Sequence, residues 1–296
     1  MMRGMFSAVS GLKTQQVMLD VAANDLANVN TVGFKGARTT FKDQLQQMMR
    51  TSSASGNGFG GSNSAQVGLG VTLGSIDNQM SGGAVQATGS ALDVAIQGDG
   101  WLRTGAGTPT PGTPTAGTPA AANLAYTRAG NLTRNDQGYL VTSTGDYVVG
   151  RTAIGGTQDC FINIPAGATD VAIGGDGAVS FVPPAGYVQP PTLPPITAGR
   201  ATGGYVSLAK FPNENGLERL TGNRWRAGLN AGVEQVGTPG QNGTFGVTTA
   251  GALEMSNVDM ASEFTSLITA QRGFQANSRI ISSADEMLQD LVNMHR

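Results

Sequence analysis

The residues that ordinarily carry enzymatic chemistry are scarce in this chain and poorly placed for it. Its only histidine, His295, is the penultimate residue, where a chain end frays, so no positioned imidazole is available for a Ser-His-Asp or Cys-His site. The one cysteine, Cys160, sits in Asp159-Cys160-Phe161-Ile162-Asn163-Ile164, an apolar stretch that reads as a strand and predicts a buried, inert thiol. One Cys and one His cannot make a zinc or redox-metal ligand set. The glycine-rich stretches lack the Lys-Ser or Lys-Thr of a phosphate loop, and none joins a strand to a helix. Carboxylates need no histidine to hydrolyse a glycoside, but the candidates Asp93, Asp99, Asp136, Asp176 and Glu234 mostly fall in turn signals, where Asp serves backbone geometry. The Gly-Asp-Gly turns offer too few closely spaced oxygens for calcium. The sequence therefore predicts no catalytic residue, no metal and no cofactor.

The bulk composition narrows the partners. Eighteen Lys and Arg against twenty Asp and Glu give a net charge of −2 over 296 residues, with no concentrated basic patch for nucleic acid or an anionic membrane. Charged residues are 13% of the chain, about half the usual share, so Gly, Ser, Thr, Asn and Gln must keep the surface wet. No apolar run approaches the roughly 20 residues of a membrane helix, and the N-terminus lacks the regions of a secretory signal. A single thiol makes no internal disulfide.

The elements that would position any site divide by proline and glycine. All 13 prolines lie between Pro109 and Pro239, and of 44 glycines only Gly4, Gly11, Gly33, Gly36 and Gly273 lie outside residues 51–252. The ends are thus helix-compatible and the middle is not. Met5, Val9, Leu12, Gln16, Leu19, Ala23 and Leu26 follow an alternating four-and-three spacing, a heptad seam. Met260, Phe264, Leu267, Gln271, Phe274, Ser278, Ile281, Asp285, Leu288 and Val292 repeat it at the other end, seven of the ten being apolar. Ser256-Asn257-Val258-Asp259 supplies capping side chains before the second helix. Two arrangements follow: the stripes pack on the central domain, or on each other and on neighbouring chains.

Between the ends the pattern is β. Ala91-Leu92-Asp93-Val94-Ala95-Ile96 places Leu92, Val94 and Ile96 on one face, and Gly98-Asp99-Gly100 follows as a turn. Strand-and-turn units recur at Leu132–Val141, Val171–Phe181 and Tyr205–Phe211. A Thr-Pro loop over residues 105–122 and a proline-rich connection over 183–199 read as ornaments, and the Ser/Gly/Asn-rich residues 51–66 as a flexible linker. The predicted class is α+β: paired, coiled-coil-like terminal helices flanking a central, mostly-β domain. Residues 1–36 with 253–296 form a helical polymerisation domain, 37–75 an extended connection, and 76–252 a β-rich outer domain.

Several blocks resemble the bacterial flagellar rod and hook proteins. The first is Asn24-Asp25-Leu26-Ala27-Asn28-Val29-Asn30-Thr31-Val32-Gly33-Phe34-Lys35, with Asn24, Leu26, Ala27, Asn28, Thr31, Gly33, Phe34 and Lys35 as its signature positions. A helix stopping among Asn28, Asn30 and Thr31, a positive φ at Gly33 and an anchoring Phe34 give it a physical sense. Gly68-Leu69-Gly70-Val71, the run Thr88–Gly100, and Tyr126-Thr127-Arg128-Ala129-Gly130-Asn131-Leu132 belong to the same pattern. So do Leu253-Glu254-Met255-Ser256-Asn257-Val258-Asp259, Ala270–Ser278 and Asp285–Asn293, which look like a short hook protein more than a distal rod protein.

The resemblance implies a hook subunit, exported through the flagellar type III apparatus without a cleaved signal peptide. It would polymerise outside the cell into a curved tube that carries torque from rod to filament. Its partners would be itself, the rod proteins, the hook cap and the hook–filament junction proteins. Met5, Val9, Leu12, Leu19, Leu26, Phe264, Leu267, Phe274, Ile281, Leu288 and Val292 would form the self-assembly seam. The alternatives are a distal rod protein of the basal body and, from another class, a secreted β-rich hydrolase or binding module.

Overall fold

The computed structural model describes residues 2–52, 54, 60–107, 124–156, 158–190, 193–196 and 199–294. They form two terminal helices and a central, mostly-β region, an α+β arrangement. The chain divides into two compact units: residues 1–28, 36–79 and 258–296 form a helical unit, and residues 29–35 and 80–257 form a β unit.

In the helical unit, α1 (Met2–Ala27) and α2 (Met260–Met294) are free of proline. Helix α1 stops where the Asn28 N–H reaches the carbonyls of Asn24 and Asp25, each at 3.2 Å. Helix α2 starts where the Asp259 carboxylate accepts the Ala261 N–H at 3.0 Å, satisfying one of the free amides of the first turn. The two helices lie against each other. Gly11 of α1 faces Asn277 of α2 and Gly273 of α2 faces Gln15 of α1, so they run antiparallel.

Residues 37–75, expected to be an extended connection, are largely strand. β1 (Ala37–Asp43) pairs antiparallel with β4 (Val71–Asn78), and β2 (Gln46–Arg50) with β3 (Ala65–Gly68). The Gln44 N–H to Gly70 carbonyl and Leu69 N–H to Leu45 carbonyl bonds, at 2.8 and 3.0 Å, join the two ladders. Of the expected linker, 53 and 55–59 lie outside the described residues. The strands escaped the sequence reading because residues 41–50 are exposed on both faces. Where neither face of a strand is buried, pairing imposes no apolar alternation.

In the β unit, the main sheet runs through 169–173, 178–182, 201–206, 147–151, 101–105, 124–127, 224–227 and 217–220, each paired antiparallel with the next. Val94 and Ile96 enter the principal core with Leu102, Val148, Phe181 and Leu208, and Leu92 packs at its edge. The strand Val94–Gln97 pairs with Val247–Ala250 rather than with the strand beyond Gly98-Asp99-Gly100, so that turn redirects the chain without making a hairpin. A second cluster holds Trp101 and Trp225 edge to face at 5.7 Å, with Tyr126 against Phe211 at 4.8 Å.

Cys160 is fully buried, and burial, followed by the neighbouring Asp159 charge, pushes its thiol up to about 12. It is inert, as expected. Most of the Thr-Pro loop, residues 108–122, lies outside the described residues. The proline-rich connection is more than an ornament. Leu193 is buried, Tyr187 stacks edge-on against Phe181 at 5.8 Å, and Gln189 Nε2 donates to the carbonyls of Pro194 and Thr202.

Candidate functional site

The first functional element is the face on which the terminal helices meet. Along α1 the buried residues are Ala8, Gly11, Thr14, Ala22 and Asp25, of which Thr14 also borders the β1–β4 ladder and Asp25 accepts the Ala37 N–H of β1 at 2.8 Å. Along α2 they are Ala270 and Ala284, with Gly273 and Asn277 half-buried between them. These recur at three- and four-residue intervals, but they are small. A Cβ at Gly11 would stand 2.6 Å from Asn277 Nδ2, and one at Gly273 would stand 3.0 Å from Gln15 Cδ. Glycine at each position leaves room for the facing polar side chain, Asn277 against Gly11 and Gln15 against Gly273.

The large apolar residues expected to form the self-assembly seam lie beside this contact within the chain. Met5, Leu12, Leu19, Leu26, Leu267, Ile281 and Leu288 are half-buried beside it. Val9, Phe264, Phe274 and Val292 are exposed, at 39%, 51%, 38% and 70%. Periodicity located the helices, and within the chain these bulky residues flank the line where Gly11 meets Asn277 and Gly273 meets Gln15. Glu263 lies at the same end as Asp25. Burial, then the charges of Asp25 and Asp259, raises its carboxyl above the ordinary glutamate value.

The second element lies in the β unit and is built from three of the sequence blocks. Past α1 the chain turns through Thr31, whose carbonyl accepts the Phe34 N–H at 3.3 Å. Gly33 has φ +65°, and its N–H donates to the Glu254 carbonyl at 2.7 Å. Phe34 is buried with the Arg219 guanidinium 4.8 Å above its ring, and Arg219 also donates to the Lys35 carbonyl. Asn223 donates through its side-chain amide to the Val32 carbonyl. Of the other signature positions, Asn24 and Ala27 are exposed on α1, and Asn28 donates its side-chain amide to the Asn24 carbonyl at 2.9 Å.

Lys35 is the centre of this arrangement. Its ammonium is fully buried and donates to Glu254 Oε1 at 2.6 Å and to the Ser81 carbonyl at 2.8 Å. Glu254, 1% exposed, also accepts from the Gly83 N–H at 3.0 Å and from Arg128 Nη1 at 3.1 Å. Arg128 in turn donates to the Gly98 carbonyl at 3.0 Å and lies over Trp101 at 5.3 Å. Burial works to raise the Glu254 carboxyl, but Arg128 and Lys35 outweigh it and hold the group below the usual carboxylate range.

This cluster is a clasp. It ties residues 29–35, the strand Ala252–Glu254 and the Arg128 turn into one buried network, and each oxygen of Glu254 has a donor. Sequence reading named Lys35 for its place in a signature and missed Glu254 and Arg128 as its partners. The available signal was a lone Glu and a lone Arg inside otherwise apolar or turn-forming blocks.

The carboxylates considered for catalysis have other work. Asp93 accepts from Thr88 Oγ1 at 2.5 Å, Asp99 pairs with Lys210 at 2.8 Å, and Asp176 accepts the Ala178 N–H in a turn. Asp136 lies exposed in its turn. Glu234 accepts from the Tyr126 hydroxyl at 2.5 Å and from the buried Arg103, which also binds Asp159. Burial and that bond to Glu234 push the Tyr126 hydroxyl well above its ordinary value. Among the described residues no cluster of three His, Cys, Asp or Glu could hold a metal, and no helix is long and apolar enough to cross a membrane. His295 lies outside the described residues.

Known families match the same blocks. Residues 5–35 match the flagella basal body rod protein family, residues 95–181 the D1 domain of the flagellar hook protein FlgE/F/G family, and residues 249–294 the C-terminal domain of flagellar basal body rod FlgEFG proteins. A flagellar basal-body rod protein FlgG of Bacillus subtilis is 44% identical over all of both chains. The chain belongs to the flagellar rod and hook protein family. A second rod protein FlgG, from Caulobacter vibrioides, is 38% identical over 97% of each chain. The flagellar hook protein FlgE of Treponema pallidum is 37% identical, but over 58% of this chain and 35% of its own length. Within this axial family, Lys35, Arg128 and Glu254 come from the three matched regions and meet in one buried cluster.

Proposed function

We propose that this chain is a structural subunit of the flagellar rod, in the basal body, and acts by self-assembly rather than catalysis. The observation that carries the reading is the end-to-end likeness to rod proteins, against a hook-protein likeness confined to about a third of that protein's length. The expectation of a hook subunit gives way to its distal-rod alternative. The blocks at the two ends and in the middle are shared by both kinds of protein, and what separates them is coverage. The helical unit supports a polymerising role. With α1 lying against α2, Phe6, Met260, Phe264, Ile268, Met287 and Leu291 stay exposed, apolar side chains that contact with neighbouring subunits would cover.

The clasp suits the same role, because a subunit under torque gains from a chain path fixed inside its β unit by buried charge pairs. Export through the flagellar apparatus and coiled-coil packing of the helices in the polymer belong to this reading. So do neighbouring rod proteins as partners. The deciding experiment is to isolate hook–basal bodies and label an epitope in this protein with gold for electron microscopy. Label on the straight shaft below the hook is expected. Label along the curved hook would restore the hook reading, and soluble, monomeric protein absent from these structures would sink both.

A further inference from the structure

A groove of about 620 Å³ runs along α1 within the helical unit. Arg3, Phe6, Val9, Lys13 and Val17 line it from the helix, and Leu45 from the link between β1 and β2. Phe6 is 66% exposed and Leu45 75%. The groove contains two cations, Arg3 and Lys13, and no carboxylate. It lies on a different face of α1 from the one that meets α2, since Gly11 and Gln15 make that contact. Helix α2 is continuous from Met260 to Met294. Its own copy is therefore committed to the Gly11 face and cannot turn back into the groove.

The second half of α2 carries a complementary surface. Ile280, Met287 and Leu291 are each about half exposed, at 50%, 49% and 46%. Their spacing of seven and four places them on one side of the helix. Glu286 and Asp290 are exposed beside them, and residues 280–294 contain no Lys or Arg. At 1.5 Å per residue, the run from Ile280 to Met294 is about 21 Å long, the same as the run from Arg3 to Val17 along the groove. The other exposed apolar run of α2, Met260, Phe264, Ile268 and Phe274, is about as long by the same rise, but residues 260–274 carry the cation Arg272 and a single carboxylate, Glu263, so the run lacks the negative charge that would face Arg3 and Lys13.

We propose that the groove between α1 and the β1–β4 ladder receives the acidic, apolar side of the second half of α2 from a second copy of this chain. The proposal rests on the self-assembly reading and adds which two surfaces meet. Because a groove meets a different surface, the contact is heterologous: it does not close a two-fold dimer, and it repeats as an open helical assembly when successive rotations do not close a ring.

The test uses full-length variants Leu45→Cys and Met287→Cys, mixed under assembling conditions and oxidised. Both positions are exposed, and the native Cys160 is fully buried. A covalent dimer is expected only from the mixture, and a ladder of oligomers from the chain bearing both substitutions. Lys13→Glu is expected to raise the concentration needed for assembly about tenfold, and adding Asp290→Lys to reverse it. Tubes seen by electron microscopy without the 45–287 cross-link, or cross-linking of Leu45→Cys to Phe264→Cys instead, would overturn this pairing alone. Absence of tubes from the unsubstituted chain would overturn the self-assembly reading together with it.

Discussion

Glu254→Gln is the most informative single change in the β unit. In the folded chain Glu254 is 1% exposed and neutralises Lys35, at 0%, and Arg128, at 4%. The amide keeps the shape but removes the charge, so two buried cations are left facing each other. Lys35 retains the Ser81 carbonyl and Arg128 the Gly98 carbonyl, neither of which carries a full negative charge. Removing one partner of a buried pair costs about 3–5 kcal/mol. Release of the Lys35 proton limits the loss, which places the expectation near the lower end.

For a unit of this size, each kcal/mol moves the melting temperature by roughly 2–4 °C, so a shift of about 6–12 °C is expected. Trp101 and Trp225 are both buried in the β unit, so tryptophan fluorescence in urea reads this unit without contribution from the helices. Adding Lys35→Met should recover part of the loss, because the stranded ammonium is then gone. A loss below about 1 kcal/mol, or no recovery in the double variant, would refute the claim that the cluster works as a charge-paired clasp. Acid provides an independent check. The Glu254 carboxyl is held below its ordinary value, so its contribution is present above the unfolded-state value and is lost only as pH falls through the depressed one. Fluorescence melts should therefore hold steady through mildly acid pH.

Three further outcomes are expected. Gly33→Ala should destabilise the β unit by about 1–2 kcal/mol from the left-handed backbone alone, and by more because its Cβ would lie 2.6 Å from the Ala129 nitrogen; a neutral urea midpoint would contradict that geometry. Gly11→Val should force the Asn277 side chain aside and lower the helical melting midpoint, whereas Gly4→Ala, with nothing within 4 Å of the new Cβ, should match or slightly exceed the parent in helical circular dichroism on melting; equal midpoints would refute the Gly11–Asn277 contact. Glu263 has a raised carboxyl, so its contribution to the helical unit is fully present below the ordinary glutamate value and is lost as pH rises through the raised one. Glu263→Gln should flatten that dependence in helical melts between acid and neutral pH, and an unchanged profile would show that burial and the charges of Asp25 and Asp259 do not raise this carboxyl.

The sequence by itself determined the two terminal helices, the β character between them and the family, because each is written in local signals. Proline and glycine are confined to the middle, apolar residues recur at helical spacing, and the blocks around Lys35, Arg128 and Glu254 are short contiguous strings. It also marked Gly33 as the point where the chain needs a positive φ, and φ there is +65°. What only the tertiary structure decided is which residues meet. Within the chain, Gly11 faces Asn277 and Gly273 faces Gln15 while Phe264 and Phe274 stay exposed, because which side chains interleave depends on the register of two helices from opposite ends of the sequence. The strands of residues 41–50 are exposed on both faces and carry no core-facing alternation, so their place is set by pairing with residues 65–78. The ion pair of Lys35 and Glu254 spans 219 positions of sequence. No local pattern encodes such a pair, since the attraction that holds it acts only once the fold has buried both groups away from water.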